Sequence, residues 1–408
     1  MNVLFITLVD IKSIDEHDIY TDLIREFAKN NHDIYVVSPF ERKIEQSSRI
    51  VECNDSEIHS HVHLLKLKIG NIQKTNIFEK GISTILIEYQ LKKGIAKYFK
   101  GIRFNLVLYS TPPITLFKPI KYIKNRDSSM TYLLLKDIFP QNAVDIGMIR
   151  INGIHGLLYR YFRNKERKLY AISDYIGCMS QANVEYVLKH NSDIVKDRVE
   201  VCPNSIDITG ISLSEIDKND LRNLYELPHD KVIFVYGGNL GKPQDIPFII
   251  ECLKKQVENP KTYFLIIGNG TEYSKLEVFF REYKPVNMRL ISWIPVMEYD
   301  RIIAACDVGL IFLDNRFTIP NFPSRLLSYM KARLPVIACT DSNTDIGDYI
   351  VQRGFGWWCN SNNVNDFTSI VDSAIKSNRI KLGDSAYKAL LKDFTVEHGY
   401  KIIMGNFR

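Results

Sequence analysis

Residues 231–245 read KVIFVYGGNLGKPQD. An unbroken apolar run, Val232 to Tyr236, is followed at once by two glycines, a polar turn and a helix-length amphipathic segment over 244–257. A run with no polar face must be covered on both sides, which is the condition of a strand in a parallel sheet between layers of helices. The glycines permit a tight turn where the strand ends. The helix that follows offers unpaired N–H groups at its start.

The same unit recurs in both directions from this stretch. Strands are expected at 262–267, 288–291, 307–312 and 335–339, and helices at 271–283, 297–305, 323–332, 344–352, 363–376 and 384–392. Upstream, strands are expected at 2–8, 33–37, 62–67, 105–109, 130–135, 175–179 and 198–202. Helices fit 18–30, 77–99, 113–125, 151–170 and 180–190. Alternation of this length predicts α/β architecture with parallel sheets. The 408 residues are too many for one core and suit two domains. The Pro-Asn-Ser turn in PNSID (203–207) and the polar stretch after it place a linker at about 204–210.

Composition excludes several classes. With 45% hydrophobic and 25% charged residues the chain is not disordered. No window approaches the ~18 apolar residues of a membrane span. The run Val3–Val9 lacks a basic leader and ends at Asp10, so it reads as a first strand and not a signal peptide. Seven scattered cysteines without a C-x-x-C pair suit a reducing cytosol. The net charge of +6 falls wholly in residues 1–200, which hold 29 Lys and Arg against 23 Asp and Glu. Within 91–168 the imbalance is 16 against 4. Such asymmetry calls for an anionic partner. The mixed basic, aromatic and aliphatic pattern of 113–126 (Lys118, Lys121, Lys124) and 157–170 (Arg160, Arg163, Arg167, Lys168) suits an anionic lipid surface or a solvated helix face. No nucleic-acid-binding module is legible.

Ligands of open α/β sheets bind outside the carboxyl ends of the strands. The candidates therefore follow strands. Gly238, Asn239 and Lys242 could meet phosphate, or form a plain turn. Gly268, Asn269 and Gly270 lack the third glycine of a dinucleotide fingerprint, and could wall a base or sugar. In DNRFTIPNFPSRLLSYMKARLPVIACTD (314–341), Pro323 suits a first helical turn. Ser324, Arg325 and Leu326 would then present N–H groups and a guanidinium to an anion. Asp137, just after the strand LLL, could act as a base, orient a hydroxyl, or brace its loop. His59, His61 and His63 would share a face if extended, but no further ligand is tied to them by spacing. A polar edge strand is the simpler reading, and no metal site is assigned.

IYTDLIREFAKNNHDIYVVSP (19–39), LVLYSTPPITL (106–116), KDIFPQNAVDIGM (136–148), VEVCPNSID (199–207), YGGNLGKPQD (236–245), IIGNGTEYSKL (266–276) and FPSRLLSYMKARLPVIA (322–338) carry a resemblance in combination. Together they resemble the GT-B-fold glycosyltransferases of family 4, in the bacterial capsule and O-antigen branch that acts on amino sugars. The resemblance spans essentially the whole chain. It implies two Rossmann-like domains with sheets facing across a cleft: residues 1–205 binding acceptor, residues 206–390 binding nucleotide sugar, and a C-terminal helix in 391–408 packing back on the first domain. It implies a retaining transfer from a UDP-sugar to a polyprenyl-pyrophosphate-linked acceptor at the inner face of the plasma membrane. No cofactor is implied, and the sequence has no D-x-D metal motif.

By the same resemblance, Lys242 and Arg325 hold the diphosphate with help from the Ser324 and Leu326 N–H groups. Asn239 takes the place of the family's arginine. Asn321 to Leu326 correspond to the family's glycine-containing loop. Gly268 to Gly270 shape the base or ribose pocket, and Asp137 meets the acceptor. The family's paired glutamates are replaced by Pro320 and Ser328, and its Gly-rich loop after the first strand by LVDIKSIDEHD (8–18). Ser328 could still hydrogen-bond a sugar hydroxyl. Those departures leave one alternative, a non-catalytic scaffold of a polysaccharide assembly; a UDP-sugar 2-epimerase, which shares the architecture, is a second, and the basic stretch 91–168 argues against it.

Overall fold

A computed structural model of the protein describes residues 1–41, 47–52, 59–70, 77–153, 156–209 and 218–407. Cys53 and part of the polar stretch after the linker lie outside these residues. The chain divides into two units, Met1–Asp207 with Val396–Arg408, and Ile208–Thr395.

In the first unit the strands are β1 (Asn2–Ile6), β2 (Asp33–Glu41), β3 (Arg49–Glu52), β4 (Val62–Ile69), β5 (Leu106–Ser110), β6 (Met130–Leu135), β7 (Tyr175–Cys178) and β8 (Val199–Val201). They form one sheet in the order β3-β4-β2-β1-β5-β6-β7-β8. β3 pairs antiparallel with β4, and the other pairs are parallel. β3 had no sequence signal because four residues, two of them charged, make no apolar run. The strand exists through its pairing with β4. The apolar faces of β1, β2 and β6 pack on the helix Thr21–Lys29 and the helix Val396–Gly405.

That last helix is tied in by named contacts. The Tyr400 ring meets Phe27 edge-on at 4.9 Å, and its hydroxyl lies 2.8 Å from His32 Nε2. Gly399 permits the approach: a Cβ there would stand 2.7 Å from Ser205 Oγ. The helix begins at Val396. Residues 391–395 remain with the second unit, where the helix Arg379–Asp393 ends and Phe394 stacks on Phe322 at 5.9 Å.

The second unit holds β9 (Val232–Gly237), β10 (Thr262–Ile267), β11 (Met288–Ile291), β12 (Val308–Phe312), β13 (Val336–Thr340) and β14 (Gly356–Asn360). Their order is β11-β10-β9-β12-β13-β14, all parallel. Counted from β9 this is 3-2-1-4-5-6, the doubly wound order whose switch point lies between its first and fourth strands. β14, GWWCN, was missed because glycine and two tryptophans do not read as a buried strand, and β14 is the partly exposed edge. β12 and β13 are buried at every position, as strands covered on both faces must be.

Among the described residues no helix is long and apolar enough to cross a membrane. The HSHVH segment is not extended throughout: residues 59–61 form a single tight turn and β4 starts at Val62. His61 lies 2.8 Å from Asp33 Oδ1 and the His63 ring stacks on Tyr35 at 4.5 Å, so these two rings serve the fold; the His59 side chain is outside the described residues.

Candidate active site

The loops after β9 and β10 are fused backbone to backbone. Gly268 has φ of +154°, and a Cβ there would fall 1.8 Å from the Gly238 carbonyl oxygen. A Cβ on Gly270 would fall 2.4 Å from Leu240 O. Both glycines are therefore required by the contact between the two loops, before any ligand is considered. Gly238 N–H donates to Ile267 O at 2.9 Å, and Leu240 N–H to Asn269 O at 2.9 Å. Asn239 Nδ2 donates to Gln244 Oε1 at 3.0 Å, and that oxygen also accepts from Gly241 N–H at 3.2 Å. The Asn239 side chain thus braces its own loop. Gln244 was overlooked, although G-x-x-Q before a turn is half of a capping box.

Arg325 completes this edge of the sheet from the other side of the switch point. It opens the helix Arg325–Lys331, which Tyr329 docks on the sheet. Gly309 makes room, since a Cβ there would stand 2.4 Å from the Tyr329 ring. Tyr329 Oη accepts from Gly237 N–H at 3.1 Å and donates to Leu310 O at 3.1 Å. Arg325 lies one turn earlier on the same helix face. Its guanidinium sits 4.5 Å from the centre of the Tyr236 ring, and a Cβ on Gly238 would be 3.2 Å from Nη2. Nη1 is buried without a hydrogen-bond partner, and no carboxylate among the described residues pairs with the group. Burial works against the charge, and the surrounding Tyr236, Tyr329 and Tyr299 outweigh it, so the guanidinium stays protonated. A desolvated cation with an unmet donor costs free energy on its own and matches an anion.

Other expected contributors stand differently. Lys242 is exposed in the tight turn Lys242–Gln244, with no ion pair among the described residues. The helix starts at Arg325, two residues later than Pro323 suggested, which corrects the expected N–H cradle. Leu326 N–H is already spent on Pro323 O at 3.2 Å, and Ser324 is exposed with its side chain capping nothing. Asn321 is also a brace: its N–H donates to Thr344 Oγ1 at 3.0 Å and its Nδ2 to Ile319 O at 3.3 Å. Thr344 is held in turn by the buried Asp341. Ser328 is half-buried one turn on from Arg325. The structure therefore gathers Gly238, Asn239, Gly268, Asn269, Gly270 and Arg325, with Lys242 on the same loop.

In the first unit Asp137 follows β6. Asn142 Nδ2 donates to its Oδ2 at 2.6 Å, and Thr111 Oγ1 accepts from the Lys136 and Asp137 N–H groups at 3.1 and 3.4 Å. Burial pushes the Asp137 carboxyl up to about 6 against the pull of Asn142 and the Ile138 N–H, with nearby Glu166 adding to the rise. Lys136, not singled out from sequence, is lowered to about 8 by burial, partly offset by Cys202 and Cys178. Among the described residues its ammonium has no hydrogen-bond or ion-pair partner.

The basic residues separate into two kinds. Lys124 donates to Asp174 Oδ1 at 2.7 Å and Ile172 O at 2.9 Å. Arg163 donates to Glu166 Oε2 at 2.6 Å, His190 O at 2.8 Å and Asn191 Oδ1 at 2.7 Å. These two were expected to face lipid or acceptor; the structure instead uses them as internal ties. Lys118, Lys121, Arg160, Arg167 and Lys168 are exposed and form no ion pair among the described residues. Lys118 and Lys121 line an open concavity with Lys92 and Arg126. Beside Arg160, Leu157 and Leu158 are 62% and 51% exposed.

Residues 217–389 match the family described as Glycosyl transferases group 1. With the two-sheet fold already described, the match falls on the second unit. The fold is GT-B, and its second unit carries a glycosyltransferase domain. It is 23% identical over 316 residues to the probable glycosyltransferase WbjE of Pseudomonas aeruginosa, covering 75% of this chain and 77% of that one. It is 24% identical over 158 residues to the putative colanic acid biosynthesis glycosyl transferase WcaI of Escherichia coli, 38% of each. Among solved structures it is similar to Anabaena Alr3699/HepE in complex with UDP, with a TM-score of 0.68 at 11% identity over 100% of this chain and 99% of that one. The matched segment contains both fused loops and Arg325.

Proposed function

We propose that the protein transfers a sugar, an N-acetylated amino sugar by its resemblance, from a UDP-sugar to a polyprenyl-pyrophosphate-linked acceptor in bacterial surface-polysaccharide synthesis. The observation that carries the reading is Arg325: a buried guanidinium with an unmet donor, at the switch point, in the segment that matches a glycosyltransferase family. In the reaction the bond from the sugar's anomeric carbon to the UDP oxygen breaks, and a bond to an acceptor hydroxyl oxygen forms. The electron pair of the broken bond leaves with UDP, and the hydroxyl proton passes to that phosphate or to solvent. Negative charge grows on the diphosphate. A preorganised guanidinium in a water-poor site stabilises that growth more than it stabilises the ground state. Lys242 adds a mobile positive charge from the neighbouring loop. In this proposal protein cations meet the diphosphate, and the transfer is retaining and independent of metal.

Asp137 would orient the acceptor hydroxyl. Exposed Arg160, Arg167 and Lys168, with Leu157 and Leu158 beside them, would hold the first unit on an anionic bilayer on its cytoplasmic side, where lipid-linked acceptors are presented. The relatives' names support polysaccharide synthesis, and the UDP complex of a structural neighbour supports the donor class. Calorimetric titration with UDP tests the donor site. Arg325→Ala should weaken UDP binding by about 1.5–3 kcal/mol, the range for charge-assisted hydrogen bonds. Affinity equal to the unaltered protein's would overturn the assignment.

A further inference from the structure

We propose that Lys136 holds the diphosphate of the lipid-linked acceptor, an assignment that rests on the transfer reaction proposed above. The residue follows β6 at the carboxyl edge of the first sheet. In that sheet β1 pairs with β2 on one side and with β5 on the other, so the winding reverses between β1 and β5. Ligands of such sheets bind outside the strand ends at that reversal. Thr111 follows β5, and its Oγ1 accepts from the Lys136 and Asp137 N–H groups, which fixes the start of the Lys136 loop beside the reversal.

The side chain differs from other lysines of this unit that leave the surface. Lys66 pairs with Asp10, Lys124 with Asp174 and Lys165 with Glu88. Lys136 is half-buried, and among the described residues its ammonium has no hydrogen-bond or ion-pair partner. The titratable groups that act on it are the thiols of Cys202 and Cys178. Burial pushes both thiols up, so they stay protonated and neutral. The neighbouring carboxylates are already engaged: Glu200 accepts from Tyr132 Oη and Asn406 Nδ2, and Asp137 from Asn142 Nδ2. The backbone leaves little slack, since Cys202 N–H donates to Cys178 O at 2.7 Å and a Cβ on Gly177 would stand 2.6 Å from Cys202 Cβ. A cation drawn partly out of water between neutral walls costs free energy in the fold, and an apolar side chain carries no such cost. The fold does not account for this lysine; an anion does.

A second unmet group lies past the end of β8. Asn204 is 8% exposed, and its Oδ1 is buried without a hydrogen-bond partner, so Lys136 does not satisfy it. The edge therefore offers a charged donor and a neutral acceptor. A glycosyl diphosphate answers both, with phosphate oxygens for the ammonium and a hydroxyl or amide N–H for the carbonyl. Asp137 would meet the hydroxyl that attacks, and Lys136 the diphosphate carried by the same sugar.

The test uses the intact protein with saturating UDP, titrated calorimetrically with a short-chain prenyl diphosphate ester of N-acetylglucosamine. The matching prenyl glycoside without phosphate is the control. Lys136→Met should raise the Kd for the diphosphate at least about tenfold, as loss of a charge-assisted hydrogen bond requires, and leave that for the glycoside unchanged. The ammonium, lowered to about 8, is restored to its charged form by a bound anion, so the unaltered protein should take up about half a proton on binding at pH 8. Buffers of different ionisation enthalpy read that uptake. Lys136→Arg, charged throughout, should bind the diphosphate without it. Lys136→Met should melt no lower than the unaltered protein, because it removes an unpaired charge. Diphosphate affinity unchanged in Lys136→Met, with UDP bound normally, would sink this assignment alone. Loss of UDP binding in the same variant would move the lysine out of the acceptor site and overturn it too. Failure of the unaltered protein to bind UDP would overturn the donor reading instead.

Discussion

The two units place positive charge in opposite ways. The first carries the whole net excess, and apart from Lys136 its unpaired cations lie in water on the helices 117–127 and 156–172. The second is neutral by count, yet it buries one guanidinium against tyrosines without a carboxylate. A surface charge is screened and gains little from any one partner, so many are needed and geometry matters little. A buried charge acts in a medium of low dielectric, so one suffices if its place is exact. The contrast separates a region fit to meet an extended anionic surface from one fit to hold a single anionic group.

The comparison can be broken most sharply inside one helix, where Arg163 and Arg160 differ by one turn. Arg163→Ala would leave buried Glu166 without its cation, and should cost about 3 kcal/mol in urea unfolding, the lower end for breaking a buried pair. A loss below 1 kcal/mol would mean that Arg163 belongs with the free surface cations. Gly268→Ala should cost roughly 2–3 kcal/mol, because the methyl meets the Gly238 carbonyl and the backbone is left-handed. Equal stability would show that the two loops are not fused.

The carboxyl of Asp137 gives a pH signature. Its value is raised from 3.8 to about 6, so its contribution to stability is fully present below pH 4 and is lost as pH rises through 6. Stability of the natural protein relative to Asp137→Asn should therefore fall between pH 4 and pH 7, measured by thermal unfolding across buffers. A flat difference would place the carboxylate in water.

Smaller effects are expected at the surface. Arg160 and Lys168 changed together to Ala should leave stability within about 0.5 kcal/mol. They should weaken binding to vesicles rich in anionic lipid by about 1 kcal/mol per charge, read by co-sedimentation at low and high salt. Unaltered sedimentation would remove the membrane from the proposal. The stability of Arg325→Ala should also change little, by no more than about 1 kcal/mol, since no ion pair is lost. A large loss would make Arg325 a structural residue.

Much of the architecture was legible because parallel strands covered on both faces leave unbroken apolar runs, as in VIFVY and LVLYS. Two of the four edge strands were not: β3 and β14 depend on a neighbour for their identity, whereas the edges β8 and β11 fall within the strands expected at 198–202 and 288–291. Glycines marked two loops that the fold joins, for an incomplete reason. Gly268 and Gly270 are demanded by loop-to-loop contact. Of the donors expected at 324–326, Leu326 N–H is spent on Pro323 O, because the residue that opens a helix depends on what docks it, and here Tyr329 sets the register.

Sequence by itself determined the alternation of elements, the two-part organisation and the one-sided charge. These are properties of composition and period, which every residue reports locally. Only the tertiary structure decided which cations are spent. Lys124 and Arg163 look like Lys121 and Arg160 in the chain, and differ because Asp174 and Glu166 are brought to them by packing. Nor does spacing show that Arg325, 87 positions from Gly238, lies against it, or that Lys136 stands beside the thiols of Cys178 and Cys202. Such contacts join residues distant in sequence, and the fold is what brings them together.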